Sequence, residues 1–238
     1  MFREIKQKLI ILENRKPWHS QIYEYINELN MIDWVYSSMR MDGSILTKSQ
    51  VERILKGAFI QDASLNEHAV IERHRHLFNA FNDMLGMSYS LNKKMILSFA
   101  QKLTENDNVR YRRENPVLVS LNYNPPHPSE IQEQMEFLMN WFYSDDMESN
   151  PILKAATLHH RIIEIYPFES CSEAVARAAM YYFLMEKGYP TFELGLSERE
   201  YNISIMEYLK KENVGPFYKA IEHSLFNKME VLMQLTAK

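Results

Sequence analysis

Cysteine is nearly absent from this 238-residue chain, and with Cys171 standing alone an internal disulfide is excluded. Glycine is scarce too, at 6 residues, and together with 15 methionines and few valine or threonine runs this points to helices. No stretch approaches 18 apolar residues, so no membrane-spanning helix is expected. The opening MFREIKQKLI is too charged and too short for a signal peptide. A basic excess is also missing: 27 Lys and Arg face 31 Asp and Glu, a net charge of −4, which argues against a nucleic-acid-binding domain. The short clusters Arg73 with Arg75, and Arg110 with Arg112 and Arg113, read as solvated faces. What remains is ordinary for a packed core, 46% hydrophobic and 24% charged, and suits a cytoplasmic protein in a reducing compartment.

The length fits one domain, and helix punctuation is legible along most of it. An amphipathic run follows Pro17, from Trp18 to about Tyr36. Thr47 with Gln50, and Ser64 with Glu67, have capping-box spacing, each before an apolar-periodic stretch. Ser90 is expected to open a helix to about Leu103, and Ser129 one from Glu130 to Tyr143. Asn150-Pro151 offers a cap with proline at the first helical position for Ile152 to Ile165. Ser172 is the expected cap for Glu173 to Lys187, which Gly188 and Pro190 end. Ser197 opens another helix, and a last one covers about Pro216 to Leu235. Between Asn108 and Pro126 the pattern changes. Val117, Val119 and Leu121 alternate with Leu118 and Ser120 after the turn signal Asn115-Pro116, which fits a hairpin over 109–122. The expectation is an all-α domain with one small β-hairpin, without repeats or linkers.

The segment YPFESCSEAVAR, Tyr166 to Arg177, lies between two of these helices. It resembles the core motif of the Fic family, HPF-x-(D/E)-GNGR-x-x-R. Pro167, Phe168 and Arg177 match. Tyr166 stands at the histidine, Ser170 at the acidic residue, and Cys171, Ser172 and Glu173 at Gly-Asn-Gly, while Ala174 takes the place of the first arginine. The surroundings resemble the family as well: Lys154-Ala155-Ala156 and His159 on the preceding helix, VRYRRENPVLVSL and NPP as its flap, and Gly188-Tyr189-Pro190 after the motif. Ser38, Asp42 and Gly43, in SSMRMDG, resemble the family's inhibitory helix, (S/T)-x-x-x-E-(G/N), with aspartate for glutamate. The resemblance implies a Fic-like core over 108–190, an N-terminal helical part over 1–107 containing the inhibitory-like helix 34–43, and C-terminal helices over 191–238.

Members of the family transfer AMP to protein hydroxyls, using the histidine as base, the acid to hold magnesium and the Gly-Asn-Gly amides with the arginines for the phosphates. Tyr166 is a poor base, because half-ionising a phenol at pH 7 needs a shift of about 3 units, or about 4 kcal/mol. Loss of a general base costs about 10²–10⁴-fold in rate. Ser170 brings no charge for magnesium, and the adjacent Glu169 points elsewhere unless the loop is remodelled. Cys171 and Glu173 give up the close approach that glycine allows, and Glu173 in the first turn competes for the helix dipole. Neither metal nor cofactor is therefore expected, ATP and magnesium entering only if the chain is an enzyme after all. Phe168, Glu169, Ser170, Cys171, Ser172, Glu173 and Arg177 then form a remnant anion site.

Other residues have plainer readings. Cys171 near a helix start invites thiolate chemistry, but Glu173 opposes it. His159 and His160 read as packing, His68, His74 and His76 as a wet helix face, and Tyr181, Tyr182 and Phe183 as core. Three readings of function follow. The favoured one is a degenerate Fic protein kept for binding, with a protein or peptide partner at Val117, Val119 and Leu121. The others are an enzyme of divergent chemistry using Tyr166, Glu169 or Cys171, and a weak AMP-transferase. Arg177 needs a partner in any of them: Asp42 is expected within reach, with Glu173 four residues before it as competitor.

Overall fold

The structure is a computed structural model and describes residues 1–144, 147 and 149–237. Several of its helices begin where the sequence places side-chain caps. Thr47 and Ser64 close capping boxes with Gln50 and Glu67 and open α3 (Lys48–Leu55) and α4 (Leu65–Gly86), numbered in chain order with α1 (Phe2–Asn14) and α2 (Ser20–Met41) before them. A third box, Ser197 with Glu200, opens α9 (Glu198–Lys211). Between lie α5 (Lys93–Thr104), α6 (Ile131–Tyr143), α7 (Pro151–Ile165) and α8 (Ser172–Glu186), and α10 (Gly215–Leu235) ends the chain. A 3-10 turn at Pro128–Glu130 leads into α6.

Several boundaries move from expectation. Asn92, not Ser90, caps α5, because its carboxamide accepts from the amide of Met95 at 3.1 Å. Cys171 occupies the N-cap of α8, and Ser172 is its first residue. The helix begun near Trp18 continues unbroken to Met41, so the 34–43 segment is its last turns rather than a separate helix. Helix α1 was not foreseen.

The 109–122 hairpin does not form. In its place runs an irregular loop with one isolated antiparallel bridge, Leu118 to Tyr123, around two successive turns. The backbone amides bond elsewhere: that of Arg112 donates to Pro167, and those of Leu121 and Asn122 donate to Leu118 and Val119 within the turns. Val117 and Val119 stand 84% and 81% exposed, but Leu121 is buried, so the three do not share a face.

The core centres on α8, sandwiched by α7, α5 and α4, with Tyr181, Tyr182 and Phe183 all buried. Trp34 of α2 meets Tyr181 edge-on at 5.1 Å between ring centroids. Asp33, beside it, binds Lys228 of α10 at 2.7 Å and Lys48 of α3 at 2.6 Å, which fixes α2 against both. That anchoring matters because α2 delivers Asp42. No helix among the described residues is long and apolar enough to cross a membrane.

Candidate functional site

Helix α7 stops at Tyr166, whose backbone turns left-handed at φ 47° and ψ 63°. A side chain other than glycine's in that region is uncommon and is held by its surroundings. Here Arg112 holds it. Its amide donates to the Pro167 carbonyl at 2.9 Å, and its Nε donates to the Tyr166 carbonyl at 2.7 Å. The guanidinium also reaches the carbonyls of Ile165, Glu114 and Pro126 and the carboxamide of Asn115. With 3% exposure Arg112 belongs to the core, not to the solvated face expected of it, and its charge sits at the electronegative end of α7. Ser172 then closes the loop, accepting from the Phe168 amide at 2.7 Å and donating to the Phe168 carbonyl at 2.8 Å.

This loop forms one wall of a cleft of about 280 Å³. Tyr166, Ser170, Cys171, Ser172, Glu173 and Ala174 line it from the motif, Met41 and Asp42 from the end of α2, and Ser120 from the irregular loop. Glu198 and Asn202 of α9 complete it, and sequence reasoning missed both because nothing local marks them. Gly43 follows α2 at φ 84°, in the left-handed region that favours glycine, and the Glu198 carboxylate lies beside it. Glu169 faces a neighbouring cleft of about 340 Å³ beside Arg110 and Arg113. Phe168 is buried against Tyr111. The expected site residues thus divide: Asp42 and the motif from Ser170 to Glu173 come together, while Val117 and Val119 stand out in solvent and do not line the cleft.

Arg177 lies beneath the cleft, 1% exposed. Its Nη2 donates to Asp42 Oδ1 at 2.5 Å, its Nε to Ser38 Oγ at 3.1 Å and its Nη1 to the Tyr201 hydroxyl at 3.4 Å. Burial works against the guanidinium charge, but Asp42, Tyr201 and Glu173 together outweigh it and hold the proton more firmly than usual. Asp42, not Glu173, takes the arginine. The network runs further: Ser38 Oγ meets His74 Nε2 at 3.0 Å, and Tyr201 meets His159 Nε2 at 2.8 Å, whose Nδ1 faces that of His160 at 2.9 Å. His74 is therefore buried, contrary to the wet face expected of it, whereas His76 is exposed.

The remaining groups turn the cleft acidic. Burial raises the proton affinity of Glu173 and Arg177 opposes the rise; the nearby Asp42 adds to it. The Tyr166 hydroxyl is 3.5 Å from Glu173 Oε1 and is also pushed up, by burial first and the Glu173 charge next. Burial lifts the Cys171 thiol to about 12, so little thiolate exists near pH 7. Among the described residues no group of three His, Cys, Asp or Glu side chains could hold a metal ion.

A double-mutant cycle reads the central contact. Asp42→Asn and Arg177→Gln are expected to couple by about 1 kcal/mol, modest because the Asp42 side chain is 41% exposed and screened. Additive losses in urea unfolding would mean that the contact does not hold in solution.

The family model for Fic/DOC matches residues 64–184, half of the chain, from α4 through the motif to Leu184. The chain belongs to the Fic/DOC family. Its likeness to curated members is low in identity but long in extent. It is 24% identical over 209 residues to the protein adenylyltransferase Fic of Nematostella vectensis, covering 79% of this chain and 45% of that one. Against the protein adenylyltransferase fic-1 of Caenorhabditis elegans it is 21% identical over 211 residues, covering 80% and 39%. The chain thus spans less than half the length of these relatives. A Fic-domain-containing signaling protein from Bacteroides thetaiotaomicron superposes with a TM-score of 0.82 at 20% identity, over 98% of this chain and 96% of the other. Fic-1 from C. elegans superposes with a TM-score of 0.81 at 18% identity, over 98% and 71%. At such identities the likeness establishes the all-α Fic fold and nothing finer.

Proposed function

We propose that this Fic-family chain has lost protein AMP-transfer, or retains only a trace of it, and serves to bind a protein or peptide, with Val117 and Val119 on the 117–120 loop as the docking side chains. The observation that carries the reading is the state of Arg177, the one motif arginine retained: sealed under the cleft and held by Asp42, it leaves the cleft lined by Asp42, Glu173 and Glu198. A triphosphate entering there meets three carboxylates and no exposed cation from the motif.

The residues do not fit a magnesium–nucleotide complex. Ser170 offers a hydroxyl where a carboxylate ligand is needed, and Glu169 turns to the other cleft. The start of α8 still favours negative charge, but Glu173 in its first turn already supplies it. Tyr166, displaced further from ionisation by its surroundings, is no base at pH 7. One contact favours a second reading, an enzyme of divergent chemistry: Glu173, with raised proton affinity, lies beside the Tyr166 hydroxyl as a buried acid would.

Purified protein with labelled ATP, magnesium and lysate should give no modification above background, and calorimetry with Mg-ATP no measurable heat. Asp42→Ala frees Arg177 but leaves the other losses in place, so it should not restore labelling. Labelling by Asp42→Ala would overturn the proposal and make Asp42 a brake on a working enzyme. Labelling by the unaltered chain that ends with Glu173→Gln would favour the divergent enzyme.

A further inference from the structure

A second cavity, of about 380 Å³, lies at the far end of the two helices that frame the motif cleft. Helix α2 starts at this cavity and ends at Asp42, while α8 starts at the motif and ends here. Asn30, on its wall, is about 18 Å along the α2 axis from Asp42. The cavity is closed by α1, α4 and α10 and by the Gly188-Tyr189-Pro190 turn. Its volume suits a small organic molecule.

Its lining combines two kinds of group. Leu12, Ile26, Leu85 and Met185 make it apolar, but three asparagines, 27, 30 and 82, and Trp18 also face it. Asn27 and Asn82 satisfy each other through an amide hydrogen bond of 3.2 Å. Trp18 Nε1 and Asn30 Oδ1 have no hydrogen-bond partner within the protein, and neither atom is exposed at the surface. Unmatched buried donors and acceptors are rare in native proteins, and each calls for an explanation. Here the two are complementary in kind, one donor and one acceptor in the same wall. The nearest full charges, Glu13 and Lys16, pair with each other at 2.7 Å on the rim and neutralise one another.

We propose that this cavity is a binding site for an uncharged planar ring bearing an amide edge, of the carboxamide or lactam kind. The ring fills the apolar part, its carbonyl accepts from Trp18 Nε1 and its N–H donates to Asn30 Oδ1. Trp18 and Asn30 both line the cavity, and engaging these two atoms takes a turn of each side chain toward it. A charged ligand is disfavoured because no unpaired ion waits to receive it. The site is separate from the motif cleft and stands whatever that cleft does.

The test titrates benzamide, which has the edge, and ethylbenzene, which lacks it, into the full chain while following the tryptophan indole N–H resonances by NMR. Trp18→Phe assigns the Trp18 signal. Benzamide should shift that signal saturably and leave those of Trp34 and Trp141 in place, with ethylbenzene at least tenfold weaker. Asn30→Leu keeps the volume but removes the acceptor and should weaken benzamide at least tenfold. Trp18→Phe, read by saturation transfer to benzamide, should lose as much from the donor side. Absence of a saturable shift of any indole signal with benzamide would overturn the site even if neither variant folds. Equal binding of the two probes, or unchanged affinity in folded Asn30→Leu, would overturn the amide-edge recognition.

Discussion

Arg112→Met should lower stability by roughly 3 kcal/mol, since two or three buried carbonyls lose a charged donor at about 1–3 kcal/mol each. For a chain of this size that corresponds to a fall in Tm of roughly 6–12 °C. The substituted methionine fills much of the volume, so the loss reports hydrogen bonding more than packing. The guanidinium bridges the Ile165 and Tyr166 carbonyls at the end of α7 to those of Glu114 and Pro126, so the motif loop and the 109–126 segment should loosen together. Hydrogen exchange would show this as faster exchange at both. Arg113→Met is the control: Arg113 is exposed, and its replacement should change Tm little. Equal effects from the two would mean that Arg112 is not the clamp its geometry indicates.

Mild acid should destabilise the protein well before its carboxylates titrate. Burial lowers His74 to about 4 and His160 to about 3; burial first, with the charges of His160 and Arg177 adding to it, also holds His159 well below its ordinary value. In the unfolded chain each imidazole takes up a proton near pH 6.5. Between that value and the folded one the unfolded state binds more protons, so stability falls as pH falls. Above pH 6.5 both states are neutral and the contribution is flat. By pH 5 the loss reaches about 2 kcal/mol each for His74 and His160, and His159 acts in the same direction. Urea midpoints at pH 7.5, 6 and 5 measure it; a constant midpoint over that range would show that the imidazoles are protonated in the folded protein. The same titration reaches the site, because His74 holds Ser38 and His159 holds Tyr201, the two neutral partners of Arg177.

Much of the fold was legible because its signals are local. A capping box needs a serine or threonine and an acid or amide three residues on, and Thr47, Ser64 and Ser197 all form one. The pairing of Asp42 with Arg177 was legible for another reason: two motifs at the spacing of a known family imply a meeting that neither segment announces. The hairpin misled because residue alternation is necessary for a strand but not sufficient. Pairing also needs free carbonyls and amides opposite, and here the amides of Arg112, Leu121 and Asn122 donate to Pro167, Leu118 and Val119 instead.

By itself the sequence determined the all-helical architecture and the family, and it put Tyr166, Ser170, Cys171 and Glu173 in the segment that resembles the family motif, since identity and short spacing suffice for each. Tertiary structure alone decided which polar groups are buried. Arg112 and Arg113 are neighbours with the same side chain, yet one is core and the other solvated, because only one meets carbonyls supplied from residues 114, 126, 165 and 166. His74 and His76 differ likewise by which helix face meets Ser38 of α2. Glu198 joins the cleft because α9 packs beside the end of α2. The cost of burying a polar group depends on the acceptors and charges that distant segments bring to it, and no window of neighbouring residues contains that information.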